Sequence, residues 1–275
     1  MKTKWLKVVV ALLVMTLVGN ASALVYTWTG ATGDGQWSTG SNWDQGAPPP
    51  PDSETVNVGD LTYGEVVTIS STTNATAGGD LHGPNWGQDL DIYGTLSVTG
   101  FVMAPVQWDK SNLSTINVFD GAQMDVVNML LGDNWWYWER NVQMNVYDAQ
   151  VNVSDWLWIG GNLNLFDGTV DVQGGVNVST HWSHPYSCLN IMRGELIIRD
   201  GGTNASGRDW VAEVQYWIDQ GWVKAWGQDP DGVTYIINVD STSIPGGVIL
   251  TAEVPEPASL MLLGLGALTA LRKRK

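Results

Sequence analysis

Apolar and polar positions alternate along five stretches of the chain that share one plan. They read LDIYGTLSV from Leu90, INVFDGAQMDV from Ile116, MNVYDAQVNV from Met144, LNLFDGTVDV from Leu163 and LNIMRGELII from Leu189. Their starts lie 26, 28, 19 and 26 residues apart. In each stretch the alternation breaks at a turn signal such as Asp167-Gly168, then resumes. A period of two puts every second side chain on one face of a strand, so each copy predicts two half-buried strands joined by a tight corner. Several copies add a third short strand, marked by Met129 and Leu131, Leu157 and Ile159, and Val176 and Val178.

Three short strands per copy, with corners rich in Gly, Asp and Asn, predict an all-β right-handed parallel β-solenoid (β-helix) with small caps at both ends. No copy can hide its apolar face alone; stacking at ~4.8 Å would join the faces into one core. The inward rows would be Leu90, Ile116, Met144, Leu163, Leu189 and Ile92, Val118, Val146, Leu165, Ile191. Between them runs a polar row, Asp91, Asn117, Asn145, Asn164 and Asn190, able to form a hydrogen-bonded ladder. An antiparallel sandwich also has short alternating strands, but it does not need one residue type at one register in five copies.

Caps are expected because open sheet ends expose unpaired strand edges. Ahead of the repeats lie WTGATGDGQWSTGSNW from Trp28, a stiff Ala47-Pro48-Pro49-Pro50-Pro51 connector and further strands between Thr55 and Ile69. Behind them, Asp209 to Gln220 predicts one short cap helix, with Trp210, Val214, Trp217 and Ile218 on one face and Gly221 to end it. Trp222 to Trp226 and Val233 to Val239 then suggest a hairpin. The expected layout is a signal segment over 1–23, a cap with first strands over 24–75, repeats over 76–202, a cap over 203–253 and a tail over 254–275.

Charge narrows the functions. The 275 residues carry 13 Lys and Arg against 28 Asp and Glu, a formal charge of −15. Seven of the cations sit at the two ends, so the rest of the chain holds six against 28 acids, of which only Glu256 lies in the tail. Such a surface repels phosphate backbones and disfavours nucleic acid as a partner. The single cysteine, Cys188, rules out an internal disulfide framework.

Both ends read as addresses. Lys2, Lys4 and Lys7, the apolar run Val8 to Val18 and the small residues Ala21-Ser22-Ala23 have the layout of a secretory signal peptide. Cleavage at the site marked by Ala21 and Ala23, by signal peptidase following Sec export, would start the mature chain near Leu24. At the other end Leu260 to Leu271 is almost wholly apolar, and Arg272, Lys273, Arg274 and Lys275 follow it. Those cations hold that end on the cytoplasmic side. Twelve helical residues span only ~18 Å against a hydrocarbon core of ~30 Å, which suits a transient membrane anchor.

The tail closely resembles the PEP-CTERM sorting signal of Gram-negative bacteria: a Val254-Pro255-Glu256-Pro257 box, a short transmembrane helix and a basic end. The resemblance implies processing by an exosortase-type protease and passage toward the cell surface and its exopolysaccharide. It covers about 22 residues and implies nothing about the activity of the body. The Trp28 to Trp43 stretch resembles the start of autotransporter-adhesin-like proteins.

Candidate chemistry lies where the copies differ in length. Insertions follow the third strand, at Phe101 to Thr115, Asp133 to Gln143 and Ser179 to Cys188. Insertions at one register project from one edge of a stack, often the binding edge. They carry Trp108, Trp135, Trp136, Trp138 and Trp182, and Trp156 and Trp158 should point outward beside them. The chain uses 16 Trp but only 3 Phe. Trp adds a flat face and an N–H donor, the combination on which sugar rings stack. These seven tryptophans are therefore candidate carbohydrate-binding residues for exopolysaccharide; the competing role is to pack down and shield the sheet.

An enzyme on the same scaffold, a polysaccharide lyase or hydrolase, would need clustered carboxylates. Asp120, Asp148 and Asp167 recur at equivalent corners, where Asp serves the turn itself. His181 and His184 form a pair without a third ligand, and Cys188 has no evident base partner. No nucleotide-binding or nucleophile-elbow motif occurs, so no catalytic residue, metal or cofactor is assigned. The sequence points to an exported structural or adhesive surface protein.

Overall fold

A computed structural model describes residues 24–59, 65–84, 87–104, 113–132, 142–178, 188–199, 207–226 and 235–253. Ahead of the first repeat come β1 (Val25–Thr27), β2 (Thr55–Asn57), β3 (Val66–Ile69), β4 (Asn74–Ala77) and β5 (Asp80–His82). The repeats supply β6 (Asp89–Ile92), β7 (Thr95–Ala104), β8 (Ser114–Val118), β9 (Gln123–Leu131), β10 (Val142–Val146) and β11 (Gln150–Val153). They continue with β12 (Leu157–Ile159), β13 (Asn162–Leu165), β14 (Thr169–Val172), β15 (Val176–Val178), β16 (Cys188–Ile191) and β17 (Glu195–Ile198). The helix α1 (Trp210–Asp219) precedes β18 (Val223–Ala225), β19 (Ile236–Asp240) and β20 (Val248–Glu253).

Two sheets result. The first strand of each copy joins a seven-stranded sheet, β18-β16-β13-β10-β8-β6-β3, in which every pair is parallel. The remaining strands form a 13-stranded sheet. That larger sheet is mixed: β20 lies antiparallel on β17, and β19 antiparallel on β20. The right-handed parallel β-solenoid expected from the sequence is therefore corrected to a mostly-β, two-sheet fold with a mixed large sheet. The physical reason is plain. Alternation fixes which face of a strand is buried, but the direction of a neighbour depends on where the chain re-enters, and after Ile198 it returns from the opposite side. Among the described residues the hairpin expected between Trp222–Trp226 and Val233–Val239 is also not formed: β18 pairs with β16 and β19 with β20.

Within the repeats the register follows the sequence rows. Leu90 pairs with Ile116, Ile116 with Met144, Met144 with Leu163, and Leu163 with Leu189. All five are fully buried, as are Ile92, Val118, Val146 and Ile191. They belong to one continuous apolar cluster that reaches from Tyr26 to Leu250. Each such side chain contributes ~1.5–3 kcal/mol of transfer free energy, and that common core holds the copies together.

The start of the stack is closed by the tryptophan-rich stretch. Thr27 N–H donates to Asp44 Oδ1 at 2.9 Å and Thr27 C=O accepts from Asp44 N–H at 3.0 Å, covering the outer edge of β1. Trp28 and Trp37 meet Trp43 edge-to-face at 5.1 and 4.8 Å. Asn42, fully buried, takes Thr32 N–H and Oγ1–H on its Oδ1 and donates Nδ2 to Asp34 and to Gln36 C=O. At the far end Asp209 caps α1 by accepting from Ala212 N–H at 2.8 Å, and Trp210, Val214 and Trp217 are buried.

Candidate functional site

The third-strand segments of four copies end on one register row: Ala104 pairs with Leu131, Leu131 with Ile159, and Ile159 with Val178. Three of the four ends root the insertions over 105–112, 133–141 and 179–187. Those segments lie outside the described residues, and with them Trp108, Trp135, Trp136, Trp138, Trp182, His181 and His184.

Trp156 and Trp158 are described, and both are half-buried, while Leu157 and Ile159 between and beside them are fully buried. Strand alternation forces this: burying 157 and 159 turns 156 and 158 outward. Their rings stack at 5.6 Å and 22°, and Phe101, 37% exposed, lies 6.3 Å from Trp158 at 23°. Trp156 also lies over Gly175, where an added Cβ would fall 2.4 Å from its ring. One part of this aromatic group therefore shields backbone, and the rest faces outward beside the insertion roots.

A second aromatic row runs along the corner that follows the first strand of each copy. Tyr93, Phe119, Tyr147 and Phe166 stack nearly parallel at 4.3, 5.4 and 4.6 Å, and Trp226 closes the row 5.4 Å from Phe166. Burial first, then the nearby Asp91 carboxylate, pushes the Tyr93 and Tyr147 phenols above their ordinary value, so both stay protonated. These rings spend their faces on each other along the stack. Sequence reading passed over this row, although its signal was present: an aromatic residue precedes the corner in four successive copies.

The polar row forms the expected ladder. Asn117 Nδ2 donates to Asp91 Oδ1 at 2.8 Å, Asn145 to Asn117 at 2.8 Å, Asn164 to Asn145 at 2.9 Å and Asn190 to Asn164 at 2.7 Å.

The recurrent carboxylates serve corners. Asp120, Asp148 and Asp167 are exposed, and Asp148 holds φ at 40°, a conformation Asp tolerates better than most residues. Arg193 takes the equivalent place in the fifth copy and ion-pairs Asp167 at 2.6 Å, while Arg199 pairs Asp171 at 2.7 Å. Such exposed pairs are worth about 0–1 kcal/mol each. Among the described residues no group of three or more His, Cys, Asp or Glu is placed to hold a metal ion.

The comparisons with known proteins bear on the tail alone. Residues 253–275 match the PEP-CTERM protein-sorting motif. The tail is a PEP-CTERM sorting signal. It marks an exported protein sorted through an exosortase and implies membrane-anchored transit before release at the cell surface. Val254 to Pro257 and Arg272 to Lys275 lie outside the described residues, as do Ala21 and Ala23. Among the described residues no helix is long and apolar enough to cross a membrane. No curated protein and no solved structure matches the chain, and the resemblance of its body to autotransporter adhesins gains no support.

Proposed function

We propose that the body is a structural or adhesive component of the cell surface or extracellular matrix, associated with exopolysaccharide. The signal segment delivers it to the Sec machinery and signal peptidase, and the sorting tail to an exosortase. The observation that carries the glycan association is the outward group of Trp156, Trp158 and Phe101, set beside the roots of three tryptophan-bearing insertions. Half-exposed indoles stacked on a rigid sheet suit sugar faces, because the scaffold has already paid their ordering entropy.

The enzyme alternative needs a pair of carboxylates facing each other across a cleft. The recurrent aspartates sit instead on exposed corners, in line along the stack and partly neutralised by Arg193. That arrangement supports the structural reading.

The test is retention of the full chain on exopolysaccharide from the producing cells. Trp156→Ala with Trp158→Ala, and separately Trp135→Ala with Trp136→Ala and Trp138→Ala, should each weaken retention several-fold while the far-ultraviolet circular dichroism stays unchanged. Unaltered retention in both variants ends the sugar-binding reading.

A further inference from the structure

The sorting signal begins inside the folded body. The matched motif covers residues 253–275, and Glu253 is also the last residue of β20. Val254 follows it directly, with no spacer between sheet and signal. On one side of β20, Glu195 to Ile198 of β17 pair with Thr251 to Val248; on the other, Ile236 to Asp240 of β19 pair with Glu253 to Ile249. Ile249, Leu250 and Thr251 are therefore held by both neighbours, whereas Ala252 and Glu253 are held by β19 alone. The Asn238 amide adds one more hold, donating Nδ2 to Glu253 Oε1 at 2.8 Å.

Burial is graded in the same direction. Glu253 is exposed, Ala252 is half-buried against the apolar cluster, and Leu250 is fully buried. Strand ends open locally because a terminal residue gives up little covered surface, and opening stops where a buried side chain would meet water. Releasing Glu253 and Ala252 breaks one ladder and uncovers one small side chain. Releasing Leu250 would break two ladders and expose a core residue. The end of β20 thus has a closed form, with the head of the motif clasped by Ile236, Ile237 and Asn238, and an open form in which the core stays packed.

A protease takes its substrate as an extended segment, and backbone pairing of such a segment needs N–H and C=O groups that are not already engaged in a sheet. Glu253 cannot serve the β19 ladder and the protease together. The two compete, and the fraction of chain in the open form scales the apparent affinity of the enzyme for the motif. We propose that the β19–β20 clasp sets the rate of sorting: the exosortase takes the chain only after Ala252 and Glu253 have peeled from β19. The proposal rests on the reading of the tail as an exosortase signal, and it gives the body a part in controlling how that signal is used.

Conversion of the full chain to its processed form, followed by pulse labelling in the producing cells, tests it. A flexible Gly-Ser-Gly-Ser spacer between Ala252 and Glu253 keeps the motif whole and frees it from the sheet; processing should speed several-fold. Ile237→Cys with Ala252→Cys, at directly paired positions and in a Cys188→Ser background, should close the clasp by a disulfide once the chain has left the cytoplasm. Processing should then slow several-fold and recover when dithiothreitol is added. The spacer placed in the crosslinked chain should restore the rate without reductant, which separates a closed clasp from a misfolded body. Equal rates for the spacer and parent chains, or for the crosslinked and reduced chains, overturn the proposal and leave the sorting reading standing. A parent chain and a spacer chain that both go unprocessed remove the sorting reading and the proposal together.

Discussion

Asn145 sits in the middle of the amide ladder, 5% exposed. Its Nδ2 donates to Asn117 at 2.8 Å, and its Oδ1 accepts from Asn164 at 2.9 Å and from Gln143 Nε2 at 2.8 Å. Asn145→Ala removes all three bonds. Gln143 is half-exposed and can turn to water, so its bond counts for little. Asn164 is 4% exposed and cannot, so its amide loses an acceptor at ~1–3 kcal/mol. The bond to Asn117 adds ~1 kcal/mol, giving an expected loss of about 2–4 kcal/mol. Asn190 at the end of the row makes one ladder bond, to Asn164 Oδ1, so Asn190→Ala leaves one buried acceptor unpaired at ~1–3 kcal/mol and lacks the further ~1 kcal/mol of a second ladder bond. Urea unfolding followed by tryptophan fluorescence reads both, as a lower midpoint with an unchanged slope. If Asn145→Ala costs no more than Asn190→Ala, the ladder is not a coupled element and the reasoning fails.

Other expectations follow from single sites. The native pKa of Asp34, about 2, lies below its ordinary 3.8. Its stabilising effect is therefore complete above pH 3.8 and fades as pH falls toward 2. Near-ultraviolet circular dichroism of the tryptophan-rich cap should lose signal across that window, and Asp34→Asn should abolish the step. A Cβ at Gly79 would fall 1.8 Å from the Glu54 carbonyl oxygen, whereas at Gly46 nothing lies within 4 Å. Gly79→Ala should then cost roughly 3 kcal/mol, and Gly46→Ala, at φ 72°, about 1–2 kcal/mol of backbone strain alone; thermal unfolding ranks them. For the tail, Glu256→Ala or deletion of Arg272 to Lys275 should change processing or location of the chain in cell fractions while the body stays folded.

Much of the interior was legible because burial leaves a mark on every second residue. The rows headed by Leu90 and Ile92 could be aligned by eye, and the amide row lay between them. Helix α1 announced itself through Asp209 and the spacing of Trp210, Val214 and Trp217. Strand direction left no such mark: burial of Val248 and Leu250 on one face looks the same whichever way the strand runs, so the antiparallel end of the large sheet was invisible. The stacked corner rings were visible as letters but not as contacts, since nothing in one copy says that Phe119 lies against Tyr93 rather than against solvent. The sorting tail, by contrast, was readable in full, since its recognition depends on order along the chain and not on the fold.

Every outward row, whether tryptophan, amide or aspartate, depends on copies lying in register, and a crosslink tests this directly. Gln150 pairs with Thr169 across β11 and β14, whereas Asp171 lies two residues further along, ~7 Å away. In a Cys188→Ser background, Gln150→Cys with Thr169→Cys should form a disulfide rapidly under mild oxidation, and Gln150→Cys with Asp171→Cys should not. Equal rates, or faster closure of the Asp171→Cys pair, would contradict the stacking on which the surface and its proposed glycan contacts are built.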